Sequence, residues 1–142
     1  MDRTILHGIT ILFTFLVLLI GGLIDFRFRI IPDWVPIALV AIGLFTGGSI
    51  WDKAIGAILP AAAVYIVYRL GGGLPGGGDI KLYMALGFNL GIQNIVLVLS
   101  ISLIVGMILA LKQSKTVKEK LMRQKVPMGF CVAIGYLGYV LL

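Results

Sequence analysis

The sequence predicts an all-α polytopic membrane protein with six transmembrane segments, the fourth short or re-entrant, in one domain covering residues 1–142. Apolar residues make up 60% of the chain and 19 further residues are glycine, whereas apolar residues and glycine together form about half of a soluble chain. Charged residues make up 13%, against about 25% in soluble domains. So few charges exclude a soluble enzyme, and the high hydrophobicity excludes a disordered chain.

The first half of the chain contains three long apolar runs. Residues 5–24 are long enough to cross a bilayer, and no small-residue cleavage motif of a signal peptide follows them. A polar link over residues 25–34 ends this first segment. The second segment covers residues 34–50 and the third covers residues 54–70, with Trp51, Asp52 and Lys53 marking the membrane interface between them.

The second half begins with the glycine-rich residues 71–79, whose composition does not support a stable helix. Residues 80–90 are apolar, but as a helix they rise only about 16 Å, roughly half of the hydrocarbon core. This is the short fourth segment. Residues 91–111 form a full span, residues 112–125 a basic loop or surface helix, and residues 126–142 the sixth segment.

The basic residues predict the orientation of the chain. With the N-terminus outside, ten of the 12 Lys and Arg residues face the cytoplasm, and only Arg3 and Lys53 face outward. The net charge of +6 is then a consequence of membrane topology, and no nucleic-acid partner is expected. The basic stretch 112–125 is expected to contact anionic lipids. The sequence leaves the oligomeric state open.

Two of the six acidic residues stand out by their position. Asp25 directly follows the first apolar run, and Asp79 lies where the glycine-rich loop enters the fourth segment. Acidic groups at membrane depth are unfavourable and are usually kept for function. Asp25 could instead be an interfacial anchor beside Arg27, and Asp79 could be the N-cap of the fourth helix. The predicted topology puts both on the cytoplasmic side, where they can meet.

A pair of carboxylates can hydrolyse a peptide bond. Two close carboxylates do not both ionise easily, so one keeps a proton. The ionised carboxylate takes a proton from water, and the protonated one polarises the scissile carbonyl. The two groups titrate as a pair, and the sequence does not say which of them holds the proton.

Other chemistries fit the sequence less well. The chain lacks the Gly-Lys pair of a phosphate-binding loop, and one His and one Cys are too few to hold a metal. We therefore expect neither a metal nor another cofactor. A small transporter or channel that binds cations at Asp25, Asp79 and a broken helix is the alternative function. The glycines would let the backbone approach an extended substrate, and Lys81 could bias the charge of Asp79 or bind a lipid headgroup.

Three motifs resemble those of the type IV prepilin peptidases, which are intramembrane aspartic proteases with a GxGD motif. The first is Asp25 followed by Ile31-Pro32-Asp33. The second is Gly76-Gly77-Gly78-Asp79-Ile80-Lys81, and the third is Val126-Pro127-Met128-Gly129. The G-x-G-D motif alone is weak in so glycine-rich a chain, but its combination with the downstream Lys81 and the upstream Asp25 and Ile31-Pro32 is specific.

The resemblance implies an aspartic endopeptidase of a prokaryotic inner or cytoplasmic membrane, acting in pilus biogenesis and protein secretion. It assigns catalysis to Asp25 and Asp79. It implies that the basic leader of type IV pilin-like or pseudopilin precursors is removed after a Gly, at the cytoplasmic face. The positions expected to bind substrate or support the site are Gly76, Gly77, Gly78, Lys81, Ile31, Pro32, Asp33, Pro127 and Gly129.

Two finer expectations follow from this resemblance. Long members of the family carry a four-cysteine element that is associated with N-methylation of the mature pilin, whereas Cys131 is the only cysteine here. We therefore expect peptidase activity without methyl transfer. Asp33, acidic and close to Asp25 in sequence, is expected to contact the basic leader.

Overall fold

The computed structural model describes residues 2–70, 77–113 and 128–142. These residues form helices, without a β-strand among them. The helices are α1 (Arg3–Phe28), α2 (Trp34–Phe45), α3 (Ile50–Leu70), α4 (Gly77–Gln113) and α5 (Met128–Leu141). Helix α4 packs against α2, α3 and α5, while α1 packs against α2 and α5. The all-α prediction is confirmed for this part of the chain.

Helix α1 continues past the predicted end of the first segment. Its last turn contains Asp25, which the sequence places at the start of a polar link. The helix ends at Arg29, whose left-handed φ of 56° lets its backbone N–H donate to the carbonyl oxygen of Asp25 at 2.7 Å. Pro32 follows shortly after this cap, as is common where a helix stops. Asp25 is therefore held by a helix rather than by a loop.

Helix α4 folds back on itself at Gly91. The backbone of this residue is non-helical, with φ 77° and ψ 171°, a conformation that favours glycine. The hydroxyl groups of Tyr83 and Ser102 share a hydrogen bond of 3.0 Å across 19 positions. In a straight helix, residues this far apart are separated by roughly 28 Å. The break coincides with the predicted boundary between the short fourth segment and the fifth.

The buried core surrounds α4 and contains large apolar side chains from all five helices. Its fully buried members include Leu18, Leu39, Val64, Leu86 and Val132. Many large apolar side chains instead point outward, with Phe45 74%, Ile50 79% and Trp51 78% exposed. Soluble monomers rarely expose apolar surface on this scale, so the exposed side chains indicate a membrane protein.

Three stretches among the described helices are long and apolar enough to cross a membrane: Arg3–Phe28, Ile50–Leu70 and Gly77–Leu109. Trp34–Phe45 and Met128–Leu141 are shorter apolar helices. The six crossings that the sequence predicts therefore stay a prediction, as does the orientation of the N-terminus.

Lys53, which the sequence places at the membrane interface, has a buried side chain. Its side chain is only 7% exposed, and its Nζ donates to the carbonyl oxygens of Gly43 at 2.5 Å and Thr46 at 2.6 Å. The last carbonyls of a helix lack partners within the helix, and the C-terminal end of a helix favours a cation. Lys53 therefore caps α2 from the first turn of α3.

Helices α3 and α4 make their closest approach at Gly56 and Gly87. A Cβ added at Gly87 would fall on the backbone carbonyl of Gly56 and lie 3.2 Å from the Cα of Ala57. A Cβ added at Gly56 would lie 2.7 Å from the carbonyl oxygen of Gly87. Because the obstacle is backbone, no side-chain rotation can relieve it.

We expect Gly87→Ala to lower the free energy of unfolding by about 1–3 kcal/mol, the usual effect of overpacking a core. The matched control is Gly8→Ala, at a helical position with no neighbouring atom within 4 Å. Denaturation in detergent, followed by Trp fluorescence, measures both variants. Equal stability of the two variants would contradict the close approach of α3 and α4.

Candidate active site

Asp25 is the most firmly held of the predicted site residues. It is 5% exposed, and its Oδ2 accepts a hydrogen bond of 2.7 Å from the backbone N–H of Gly129. Gly129 lies in the first turn of α5, where N–H groups have no partner within the helix. The N-terminus of α5 therefore fixes the orientation of the Asp25 carboxylate.

Helices α1 and α5 can approach each other closely beside Asp25 because each has a glycine at the crossing, Gly22 in α1 and Gly129 in α5. A Cβ on Gly22 would lie 3.0 Å from the carbonyl oxygen of Gly129, and one on Gly129 would lie 3.1 Å from both Cβ and Oδ2 of Asp25. Phe26 and Phe130 pack beside this crossing, with ring centroids 5.3 Å apart. The site of Asp25 is thus closely packed on its α5 side.

Asp79 lies in the first turn of α4, which begins at Gly77. The side chain is half-buried. Its neighbour Gly78 packs against Ile31 in the link between α1 and α2, since an added Cβ would lie 3.3 Å from the Cβ of Ile31. Two residues further along, Lys81 Nζ contacts Asp33 Oδ1 at 3.2 Å.

Two other side chains lie near both aspartates. Tyr68, in the last turn of α3, lies within electrostatic range of Asp79 and Asp25. The buried thiol of Cys131, in α5, lies within the same range. Four helices, α1, α3, α4 and α5, therefore contribute side chains around the two carboxylates.

A hydrogen bond about midway along α1 indicates the depth of the two aspartates. Asn89 Nδ2 donates to Thr14 Oγ1 at 3.0 Å, which joins α4 to α1. Asp25 follows Thr14 by about three helical turns, and Asp79 precedes Asn89 by nearly as many. At about 1.5 Å per residue, both lie roughly 15 Å from this bond. The two carboxylates therefore lie at a similar depth, at the same end of the bundle.

The structure brings most of the sequence-predicted positions to this end. Gly78, Ile31 and Gly129 pack in the contacts described above, whereas Gly77 is exposed and begins α4, with no atom within 4 Å of an added Cβ. Pro32 is half-buried, and its carbonyl accepts the backbone N–H of Val35 at 3.1 Å, which leads the chain into α2. The two motif positions Gly76 and Pro127, and nearly all of the basic stretch 112–125, lie outside the described residues.

Tyr68 is the residue of this site that sequence reasoning missed. A tyrosine near the end of an apolar run is typical of the aromatic belt at a membrane interface. Its place in sequence therefore signals no relation to Asp25 or Asp79. The available signal was the depth of Tyr68 in the predicted topology. The C-terminal end of α3 lies at the same end of the bundle as Asp25 and Asp79.

The comparisons with known proteins bear on what this arrangement does. No curated protein and no solved structure matches the chain significantly. A family model does match: residues 12–111 fit the type IV leader peptidase family. The matched stretch includes Asp25, Asp79 and Lys81, and it ends before Gly129. Because the match covers more than half of the 142 residues, the chain belongs to the type IV leader peptidase family and is a peptidase.

Proposed function

We propose that the protein is a prepilin leader peptidase that uses Asp25 and Asp79 to activate water. Its substrates are type IV pilin-like or pseudopilin precursors, cleaved after a Gly between a basic leader and a hydrophobic helix. The observation that carries the proposal is that both carboxylates lie at one end of the bundle, each within electrostatic range of Tyr68 and Cys131. Family membership supplies the reaction class.

In the proposed mechanism the two carboxylates share one proton. The ionised carboxylate takes a proton from a water molecule as its oxygen attacks the scissile carbonyl carbon. The protonated carboxylate donates a hydrogen bond to the carbonyl oxygen, on which negative charge develops. When the carbon–nitrogen bond breaks, the leaving amine takes up a proton from the pair. The hydrogen bond from Gly129 supports this chemistry by holding one carboxylate in a fixed orientation.

We further propose six membrane segments, an outward N-terminus and an active site that faces the cytoplasm of a prokaryotic cell. The distribution of charge supports this orientation. Arg27, Arg69 and Lys81 lie at the end of the bundle that holds the aspartates, while Arg3 lies at the opposite end. An excess of basic residues on the cytoplasmic side is the usual pattern. The basic stretch 112–125 would then bind anionic lipid on that side.

Cleavage of a purified precursor tests the proposed function. The full chain, reconstituted in vesicles, is incubated with a precursor that has a basic leader, a Gly and a hydrophobic helix. We expect two products whose masses place the cut directly after the Gly, and no methyl group on the new N-terminal amine when a methyl donor is also supplied. Vesicles without the enzyme are the control. An uncut precursor would contradict the proposal, and cation flux through the same vesicles would favour the transporter alternative.

A further inference from the structure

The backbones of the two helices that carry the aspartates do not approach each other closely. In the described parts of α1 and α4, no Cα of one helix lies within 8 Å of a Cα of the other. The hydrogen bond between Thr14 and Asn89 does join them, but it lies about 15 Å from the carboxylates. The relative position of Asp25 and Asp79 must therefore be set through other parts of the chain.

The link that follows α1 makes two contacts with the first turns of α4. Ile31 packs on Gly78, next to Asp79 in sequence. Asp33 pairs with Lys81 at 3.2 Å, two residues beyond Asp79. On its other side, this link is tied to Asp25 by the hydrogen bond from the Arg29 N–H to the Asp25 carbonyl. These contacts form a continuous path from one aspartate to the other.

We propose that Asp33 and Lys81 are positioning residues, and that their ion pair, together with the contact of Ile31 and Gly78, sets the placement of Asp79 relative to Asp25. We call these four residues the clasp. The inference rests on the proposed function of the two aspartates and adds a role for residues that touch neither the water nor the scissile bond. The second route between the helices, through α5, holds Asp25 by Gly129 and packs against α4.

The exposure of the Asp33–Lys81 ion pair limits its contribution to the stability of the fold. The side chains of Lys81 and Asp33 are 62% and 80% exposed, and exposed ion pairs contribute little to stability. Their loss should therefore leave the protein folded. Catalysis is more sensitive than stability to small movements, because a displacement of about 1 Å can slow a reaction about 100-fold. The clasp is thus expected to affect the rate far more than the fold.

The clasp competes with the expectation that Asp33 binds the basic leader. The Asp33 carboxylate can accept several hydrogen bonds, but its pairing with Lys81 at Oδ1 already offsets the negative charge that would attract a leader cation. The two roles give different kinetics. A leader contact acts on KM and depends on the charge of the leader, whereas a positioning residue acts on kcat and does not.

Kinetics of four variants test the clasp. We expect Asp33→Asn and Lys81→Met each to lower kcat about tenfold, with little change in KM, since a misplaced catalytic group slows the bound reaction. The double variant should be no slower than either single variant, because each of the three proteins lacks the same ion pair. Lys81→Arg preserves the ion pair and should retain most of the activity. Arg69→Met, which removes an exposed cation at the same end of the bundle, is the matched control.

Several kinetic results would overturn the clasp. Losses that multiply in the double variant would show that Asp33 and Lys81 act separately. A change of KM at Asp33 that disappears with a neutral leader would assign this residue to leader binding. Wild-type rates in both single variants would exclude any role for the pair.

A distance measurement tests the clasp without relying on activity. Spin labels are attached at Leu23→Cys and Met84→Cys, two exposed positions near the aspartates on α1 and α4, in a Cys131→Ala background. We expect Lys81→Met to broaden or shift the distance distribution and Lys81→Arg to leave it unchanged. Identical distributions in all three proteins would overturn the clasp. If wild type cleaves no precursor, the proposed function fails, while this measurement still decides whether the clasp exists.

Discussion

Gly129→Val is expected to slow precursor cleavage about 100-fold, the effect that a displacement of about 1 Å has on a positioned catalytic group. The reason is the contact between α5 and Asp25. Even a single Cβ at this position would lie 3.1 Å from both Cβ and Oδ2 of Asp25. The two further methyl groups of valine enlarge the overlap, so the carboxylate must move and lose its 2.7 Å hydrogen bond.

The backbone around Gly129 limits any relaxation. Helix α1 contacts α5 through Gly22, where an added Cβ would be only 3.0 Å from the Gly129 carbonyl oxygen. To make room for the valine, α1 and α5 would have to separate along their whole crossing, or the Asp25 side chain would have to rotate. Rotation disturbs fewer contacts, so we expect the carboxylate to move. We expect Gly129→Ala to show the same effect in milder form.

Cleavage rates at saturating precursor measure the effect, with thermal unfolding in detergent recorded for each variant. Gly106→Ala is the matched control, because a Cβ there meets Met128 and Cys131 at an ordinary 3.7 Å. If Gly129→Val cleaves as fast as Gly106→Ala, the orientation of Asp25 does not depend on α5.

The features that sequence reasoning could predict are those that follow from local composition. The excess of apolar residues predicted helices, and the short apolar stretch 80–90 predicted a boundary at Gly91, where the helix breaks. Asp25 and Asp79 were conspicuous because acidic residues are rare in this chain. Their common end of the bundle was predictable from the distribution of basic residues, which orients successive segments.

The features that could not be predicted depend on contacts between distant parts of the chain. Lys53 lies beside Trp51 and Asp52 in a sequence typical of a membrane interface. Its burial depends on the carbonyl groups at the C-terminal end of α2, which accept hydrogen bonds from its Nζ. The ion pair of Asp33 and Lys81 joins positions 48 residues apart. Residues 25–28 were assigned to the polar link because of their charges, but they include no glycine or proline, and α1 continues through them.

The most direct test of the two-aspartate mechanism is the cleavage rate of Asp25→Asn and Asp79→Asn, each measured alone. The amide has the shape of the carboxyl group, and its oxygen can still accept the Gly129 N–H, so we expect a folded protein. It cannot exchange a proton with water, and loss of general acid–base catalysis slows a reaction by about 10²–10⁴-fold.

Asp2→Asn is the control for these variants, because it removes an exposed carboxylate at the opposite end of α1. We expect both active-site variants to lose cleavage by at least about 100-fold, while Asp2→Asn cleaves at the wild-type rate. A wild-type rate in either Asp25→Asn or Asp79→Asn would contradict the two-aspartate mechanism.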